Sequence, residues 1–164
     1  MNFTPIIAAN WKMHKTPNES IKFYENLKSS CENLKNVEII LSVPFTSLSG
    51  FDAEPPFFKA AQNCHWEDSG AYTGEISVQM IKELGTKYVI VGHSERRHIF
   101  GEKNSHINLK IISIAKSGLK PIICVGETLS DRENNNTENV LQDQLKQALK
   151  NMKDIDNIII AYEP

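Results

Sequence analysis

Short, strongly apolar runs alternate with longer amphipathic segments along the chain. The runs are Ile6 to Ala9, Val37 to Val43, Phe57 to Ala61, Tyr88 to Val91, Pro121 to Val125 and Ile158 to Tyr162. Their apolarity is continuous rather than alternating, which predicts strands buried on both faces, as in a parallel sheet flanked by helices. Their starts lie 31, 20, 31, 33 and 37 residues apart, about the spacing of right-handed βαβ crossovers.

The intervening segments carry helix signals. Thr16-Pro17-Asn18-Glu19 combines a cap residue, a proline at the first helical position and a glutamate at the third, a capping box. It opens a helix predicted to bury Ile21, Phe23, Tyr24 and Leu27. Ser77 to Leu84 places Met80, Ile81 and Leu84 on one stripe and stops at Gly85, while Ser105 to Ser117 carries Ile107, Ile111, Ile114 and Ala115 and stops at Gly118,. From Thr137 onward, Val140, Leu141, Gln144, Leu145, Ala148, Leu149 and Met152 trace another stripe, with Lys146, Gln147 and Lys150 opposite,. Pro44, Gly50, Pro55 and Pro56 leave room for only a short helix around Phe45 to Leu48,. The reading is therefore an α/β fold with a parallel sheet, five βα units and a sixth strand, in one domain over residues 1–164. Periodicity does not choose between an open doubly wound sheet and a barrel.

Composition narrows the function. Among 164 residues, 18 basic and 20 acidic side chains give a formal charge of −2, so the chain lacks the basic footprint of a nucleic-acid binder. Cys31, Cys64 and Cys124 are odd in number and widely spaced, which disfavours a disulfide framework or a zinc site and favours a reducing compartment,. The amino-terminal start has no basic region before its apolar run, and no apolar run reaches the roughly 18 residues of a membrane span,. A cytoplasmic protein with neither membrane nor nucleic acid as partner is expected.

In parallel α/β folds, chemistry gathers at the carboxyl ends of the strands. The residues just after the runs are Asn10 and Lys12; Pro44 and Thr46; Gln62 and Asn63; His93, Ser94, Glu95 and Arg96; Gly126 and Glu127; and Glu163. Lys12 is either a solvated loop lysine or a fixed cation for a phosphate or developing oxyanion. His93 is either a structural histidine at a helix start or a neutral donor that polarises a carbonyl. Glu163 directly follows Ile-Ile-Ile-Ala-Tyr. A carboxylate at the end of a buried strand is costly unless paired, and desolvation raises its basicity toward that of a general base. Arg96 and Glu102 read as a structural ion pair, Glu95 as a group supporting His93, and Cys124 as a small buried hydrophobe. No metal-ligand spacing, dinucleotide fingerprint or P-loop occurs, so no cofactor and no metal are expected.

Six segments together carry a resemblance: Ala9-Asn10-Trp11-Lys12-Met13, Ala61-Gln62-Asn63, Gly70 to Ser77, Val91-Gly92-His93-Ser94-Glu95-Arg96-Arg97, Ile123 to Glu127 and Ala161-Tyr162-Glu163-Pro164. In order and spacing the chain resembles the triosephosphate isomerases. The resemblance implies a (β/α)₈ barrel of the TIM type and an aldose–ketose isomerase of glycolysis and gluconeogenesis, acting on a phosphorylated triose. It implies Glu163 as the base that moves a proton between adjacent carbons, His93 as the neutral electrophile, and Lys12 as stabiliser of the anionic substrate and intermediate. It further implies that Asn10 orients Lys12, that Glu95 and Cys124 support the site, and that Thr73, in the loop from Asn63 to Glu75, reaches the partner of a homodimer.

The chain stops at Pro164, one residue beyond Glu163. The resemblance implies that the family's lid, its seventh and eighth βα units and its phosphate-gripping amides follow that position. An amino-terminal fragment is thus expected, with an incomplete barrel and no activity alone. Two rivals differ in class: a non-catalytic module docking through the Asn63 to Glu75 loop, and a barrel aldolase using Lys12 as a Schiff-base nucleophile.

Overall fold

The computed structural model describes residues 4–164; the first three residues of the start considered above lie outside them. Strands β1 (Ile6–Asn10), β2 (Glu38–Val43), β3 (Phe57–Ala61), β4 (Thr86–Val91), β5 (Lys120–Val125) and β6 (Ile159–Tyr162) each fall on one of the six apolar runs. They pair in parallel in strict chain order. Ile6 lies opposite Glu38, Ile39 opposite Phe57, Val89 opposite Pro121 and Ile122 opposite Ile159. Sequential parallel order with every crossover on one side curls the sheet into a barrel wall rather than a doubly wound sheet,.

The crossovers are α1 (Pro17–Ser30), a 3₁₀ turn (Phe45–Ser47), α2 (Val78–Glu83), α3 (Ser94–His98) with α4 (Asn104–Lys116), and α5 (Leu129–Glu133) with α6 (Thr137–Ala148). Thr16 and Glu19 form the expected reciprocal box at α1, and the Ser77 side chain caps α2. The abbreviated second unit is held from below by Lys59. Its buried ammonium donates to the carbonyls of Leu48 and Phe51 at 2.8 and 2.9 Å, satisfying backbone that a full helix would otherwise satisfy,.

Alternate residues of the strands feed two cores. Leu41, Val43, Val89, Val91, Ile123 and Val125 pack outward with Ile107, Ile111 and Ile114 of α4. Ile40, Ala60, Tyr88, Ile90, Ile122 and Cys124 pack on the inner face. Burial on both faces accounts for the predominantly apolar character of β2 to β5,. It does not extend to the outer strands. Ile6 and Ile7 of β1 and Ile160 and Tyr162 of β6 are exposed, because each of these strands has one neighbour among the described residues.

Three stripe positions also depart from expectation. Phe23 is exposed and lies edge-on to Trp11 with Lys15 above its ring. Met80 is exposed, and Val78, three residues before Ile81 on the same helix face, is buried instead. Ala115 is exposed, while Ser113 and Lys110 share the buried face of α4, Lys110 through its contacts with Asn63 and Glu102.

Candidate active site

The carboxyl ends of β1, β4 and β6 bring Lys12, His93 and Glu163 to one rim. Gly92 makes the turn out of β4 with φ of 70°, and a Cβ there would lie 2.9 Å from Arg97 Nη2 and 3.0 Å from Ile107 Cδ1. This turn sets His93 as the N-cap of α3, where its Nδ1 accepts the Glu95 backbone N–H at 3.2 Å. A ring nitrogen that accepts cannot carry the proton, so the neutral ring is protonated at Nε2. That Nε2 lies 2.9 Å from Glu163 Oε1, and Glu163 Oε2 accepts the Ser94 N–H at 2.9 Å. The backbone of Glu163 is fixed by its own N–H to the Val125 carbonyl at 2.8 Å.

Glu163 was expected at the end of a buried strand. Its side chain is 28% exposed, since the outer flank of β6 is open; its charge is met by two hydrogen-bond donors rather than by an apolar wall. His93 is buried. Arg97, also anchored below the rim, donates to the carbonyls of Gly92 and Cys124 and to Asn104 Oδ1, tying the ends of β4 and β5 together.

Lys12 leaves β1 with φ of 52°. Its N–H donates to Asn10 Oδ1 at 3.0 Å, so Asn10 does touch the residue it was expected to orient. Its ammonium meets Glu95 Oε1 at 2.9 Å, and this hydrogen bond, then the charge attraction, raises the lysine above its ordinary value. The same hydrogen bond holds Glu95 below the usual carboxylate range against the opposing effect of burial. Cys124 is buried beside Glu163; burial first, then that neighbouring charge, push its thiol up to about 12, and it remains a thiol,. Asn10, Lys12, Gln62, Asn63, His93 and Glu95 line a cavity of about 180 Å³. A larger cleft of about 430 Å³ lies at the amino ends of β5 and β6, away from His93.

Thr73 is not at the rim. It sits exposed on the ordered loop between β3 and α2, which is pinned where the His65 N–H meets the Ile76 carbonyl at 2.8 Å and where His65 stacks on Trp66 and lies tilted against Tyr72. Arg96 lies 3.5 Å from Glu102, which also pairs with the buried Lys110, as read for a structural network. Two contacts were not anticipated. The Ser94 amide on Glu163 depends on the three-dimensional approach of β6 to α3, which no spacing reveals. Gln62 was among the residues after β3, but its partners could not be known from position alone.

A curled wall of six parallel strands paired in chain order, with a His–Glu pair and a lysine on its carboxyl rim, defines a protein of the TIM-barrel class,. The family model described as triosephosphate isomerase matches residues 5–164. The triosephosphate isomerase of a Synechocystis species is 48% identical over 163 residues, covering 97% of this chain and 67% of that protein. That of Thermoanaerobacter pseudethanolicus is 47% identical over 165 residues, covering 98% of this chain and 66% of that protein. The crystal structure of triosephosphate isomerase from Bartonella henselae superposes with a TM-score of 0.90 at 41% identity, over 99% of this chain and 68% of that one. The chain belongs to the triosephosphate isomerase family, and it spans about two thirds of the length of these relatives.

Proposed function

We propose that the protein interconverts dihydroxyacetone phosphate and glyceraldehyde 3-phosphate by moving a proton between adjacent carbons. The observation that carries this reading is the 2.9 Å contact between His93 Nε2 and Glu163 Oε1, which sets a proton donor and a proton acceptor within one substrate's reach. The Glu163 carboxylate takes the proton from the carbon beside the carbonyl while His93 Nε2–H donates a hydrogen bond to the carbonyl oxygen. The electron pair of the C–H bond moves into the new C=C bond, and the oxygen becomes an enediolate oxygen. The proton of the hydroxyl on the deprotonated carbon then passes to the former carbonyl oxygen by way of His93 Nε2; as the freed oxygen closes a new C=O, the C=C pair takes the proton back from Glu163 at the neighbouring carbon, which completes the isomerisation. When a triose occupies the rim, its oxygen takes the place of Glu163 Oε1 on Nε2, and the carboxylate shifts from Ser94 N to the carbon.

Lys12 supplies fixed positive charge to the phosphorylated substrate and to the enediolate, and Asn10 orients it. Its pairing with Glu95 keeps it an ammonium, which weighs against the Schiff-base reading, since a nucleophilic amine must first lose its proton,. Thr73 belongs to a dimer contact: Met13, Tyr72, Ile99 and Phe100, all exposed, supply apolar surface near the same loop and rim for a second copy,. The cytoplasm suits free Cys31, Cys64 and Cys124 and a glycolytic substrate,. No helix among the described residues is long and apolar enough to cross a membrane.

The test is turnover of dihydroxyacetone phosphate by the protein and by Glu163→Asp. Withdrawing the carboxylate by one methylene displaces it from the reacting carbon, and a fall in kcat of about 10²-fold with unchanged unfolding temperature is expected. Near-normal kcat in the variant removes Glu163 from the role of base.

A further inference from the structure

Lys12 is one of five non-glycine residues at positive φ among the described residues, and three of the others are asparagines, which tolerate that region,. A lysine has no such tolerance, so its neighbours must hold it there. Its N–H is bound by Asn10 Oδ1. Its carbonyl accepts from Gln62 Nε2 at 3.0 Å, and the same amide nitrogen donates to the Ser42 carbonyl at 2.9 Å. Ser42 is in β2, and its carbonyl also accepts the Trp11 N–H at 3.0 Å. One amide group, placed just after β3, therefore uses both N–H groups to brace the exit of β1 against the end of β2.

We propose that Gln62 is a positioning residue for triose-phosphate binding: its two-pronged donation to Lys12 O and Ser42 O keeps Lys12 left-handed, so that the ammonium stands beside Glu95 and faces the substrate. This rests on the isomerase reading. Gln62 touches no reacting atom and acts only through Lys12.

The experiment uses the protein in full and the variant Gln62→Met, which keeps the side-chain length and removes both donors. Three readouts are taken: kcat and KM for dihydroxyacetone phosphate, binding of glycerol 3-phosphate as an unreactive triose phosphate, and the Lys12 ¹³Cα resonance. In Gln62→Met the resonance moves from its left-handed position, glycerol 3-phosphate binds about tenfold more weakly, and KM rises more than kcat falls. In a Lys12→Met background the same change at Gln62 weakens binding no further, because its effect passes through Lys12. Should Gln62→Met not fold, Gln62→Asn, whose shorter amide cannot span both carbonyls, is scored identically. The proposal is overturned by an unmoved Lys12 resonance, by unchanged binding in Gln62→Met, or by equal weakening with and without the Lys12 ammonium. If the unmodified protein does not turn over the triose phosphate, the isomerase reading fails, and the resonance and binding arms still decide whether Gln62 holds Lys12.

Discussion

Lys12 combines a disfavoured backbone with a favourable charge pairing. Its ammonium is half-exposed and lies on Glu95, so bringing in an anionic substrate costs little desolvation and exchanges one carboxylate partner for, or shares it with, another anion,. Lys12→Met is expected to raise KM at least about tenfold while leaving the unfolding midpoint nearly unchanged; steady-state kinetics read it, and an unaltered KM reduces Lys12 to a loop residue. His93 is governed by its place at the start of α3: the Glu95 amide occupies Nδ1 and leaves Nε2 to donate. The placement of Lys12, His93 and Glu163 on one rim was legible because each follows an apolar run at a strand's carboxyl end. The setting of Glu163 was not, since burial of a strand depends on neighbours on both flanks, and the run Ile-Ile-Ile-Ala-Tyr carries no mark of whether those neighbours are present.

At the scale of elements, local sequence decided most of what formed. The box at Thr16 accepts the Glu19 N–H, and Glu19 returns to the Thr16 N–H at 2.7 Å, so two otherwise unmatched amides are satisfied,. Thr16→Ala should cost about 1 kcal/mol and lower the unfolding midpoint by about 2–4 °C; no shift in a thermal melt would make the box ornamental. The start of α5 and the end of β6 meet at Glu127, which accepts from Arg132 at 2.8 Å and from the Tyr162 hydroxyl at 2.9 Å. Burial presses the Glu127 carboxyl upward, but its backbone, Tyr162 and Arg132 hydrogen bonds outweigh that and hold it below its ordinary 4.5. The lowered value means that its contribution to stability is complete above pH 4.5 and is lost as pH falls through the folded-state value,. From about pH 7 to about pH 3 the midpoint of the unmodified protein should fall more steeply than that of Glu127→Gln, and parallel curves would contradict the pairing. Helices α3 and α5 were not legible. Each is five residues long and mostly polar, and short polar helices carry no apolar period to read; only their caps, His93 and Thr128, mark them,. Phe23, Met80 and Ala115 show the complementary failure, in which an apolar residue at helical spacing lies at the margin of a stripe and turns outward.

At the scale of the molecule, parallel pairing in strict order β1 to β6 follows from crossovers that are each too long for a hairpin,. The choice of a barrel wall over a doubly wound sheet was not in the periodicity; the resemblance carried it, and the strand order bears it out. The loop bearing Thr73 is exposed and is stiffened by His65, which stacks on Trp66 and lies tilted against Tyr72; it is the surface proposed above for a second copy. Thr73→Arg places a long charge in that contact, and sedimentation velocity should show the dimer replaced by a species of half its mass; an unchanged dimer moves the interface elsewhere. All of these features serve one claim, that Glu163 carries a proton between two carbons while His93 holds the oxygen. The most direct measurement is to convert dihydroxyacetone phosphate in deuterium oxide and locate deuterium by mass spectrometry and NMR. Deuterium bound to the carbons beside the carbonyl, absent in Glu163→Gln, is the predicted result. Conversion by Glu163→Gln at the unmodified rate, or equal deuterium incorporation by that variant, would contradict it.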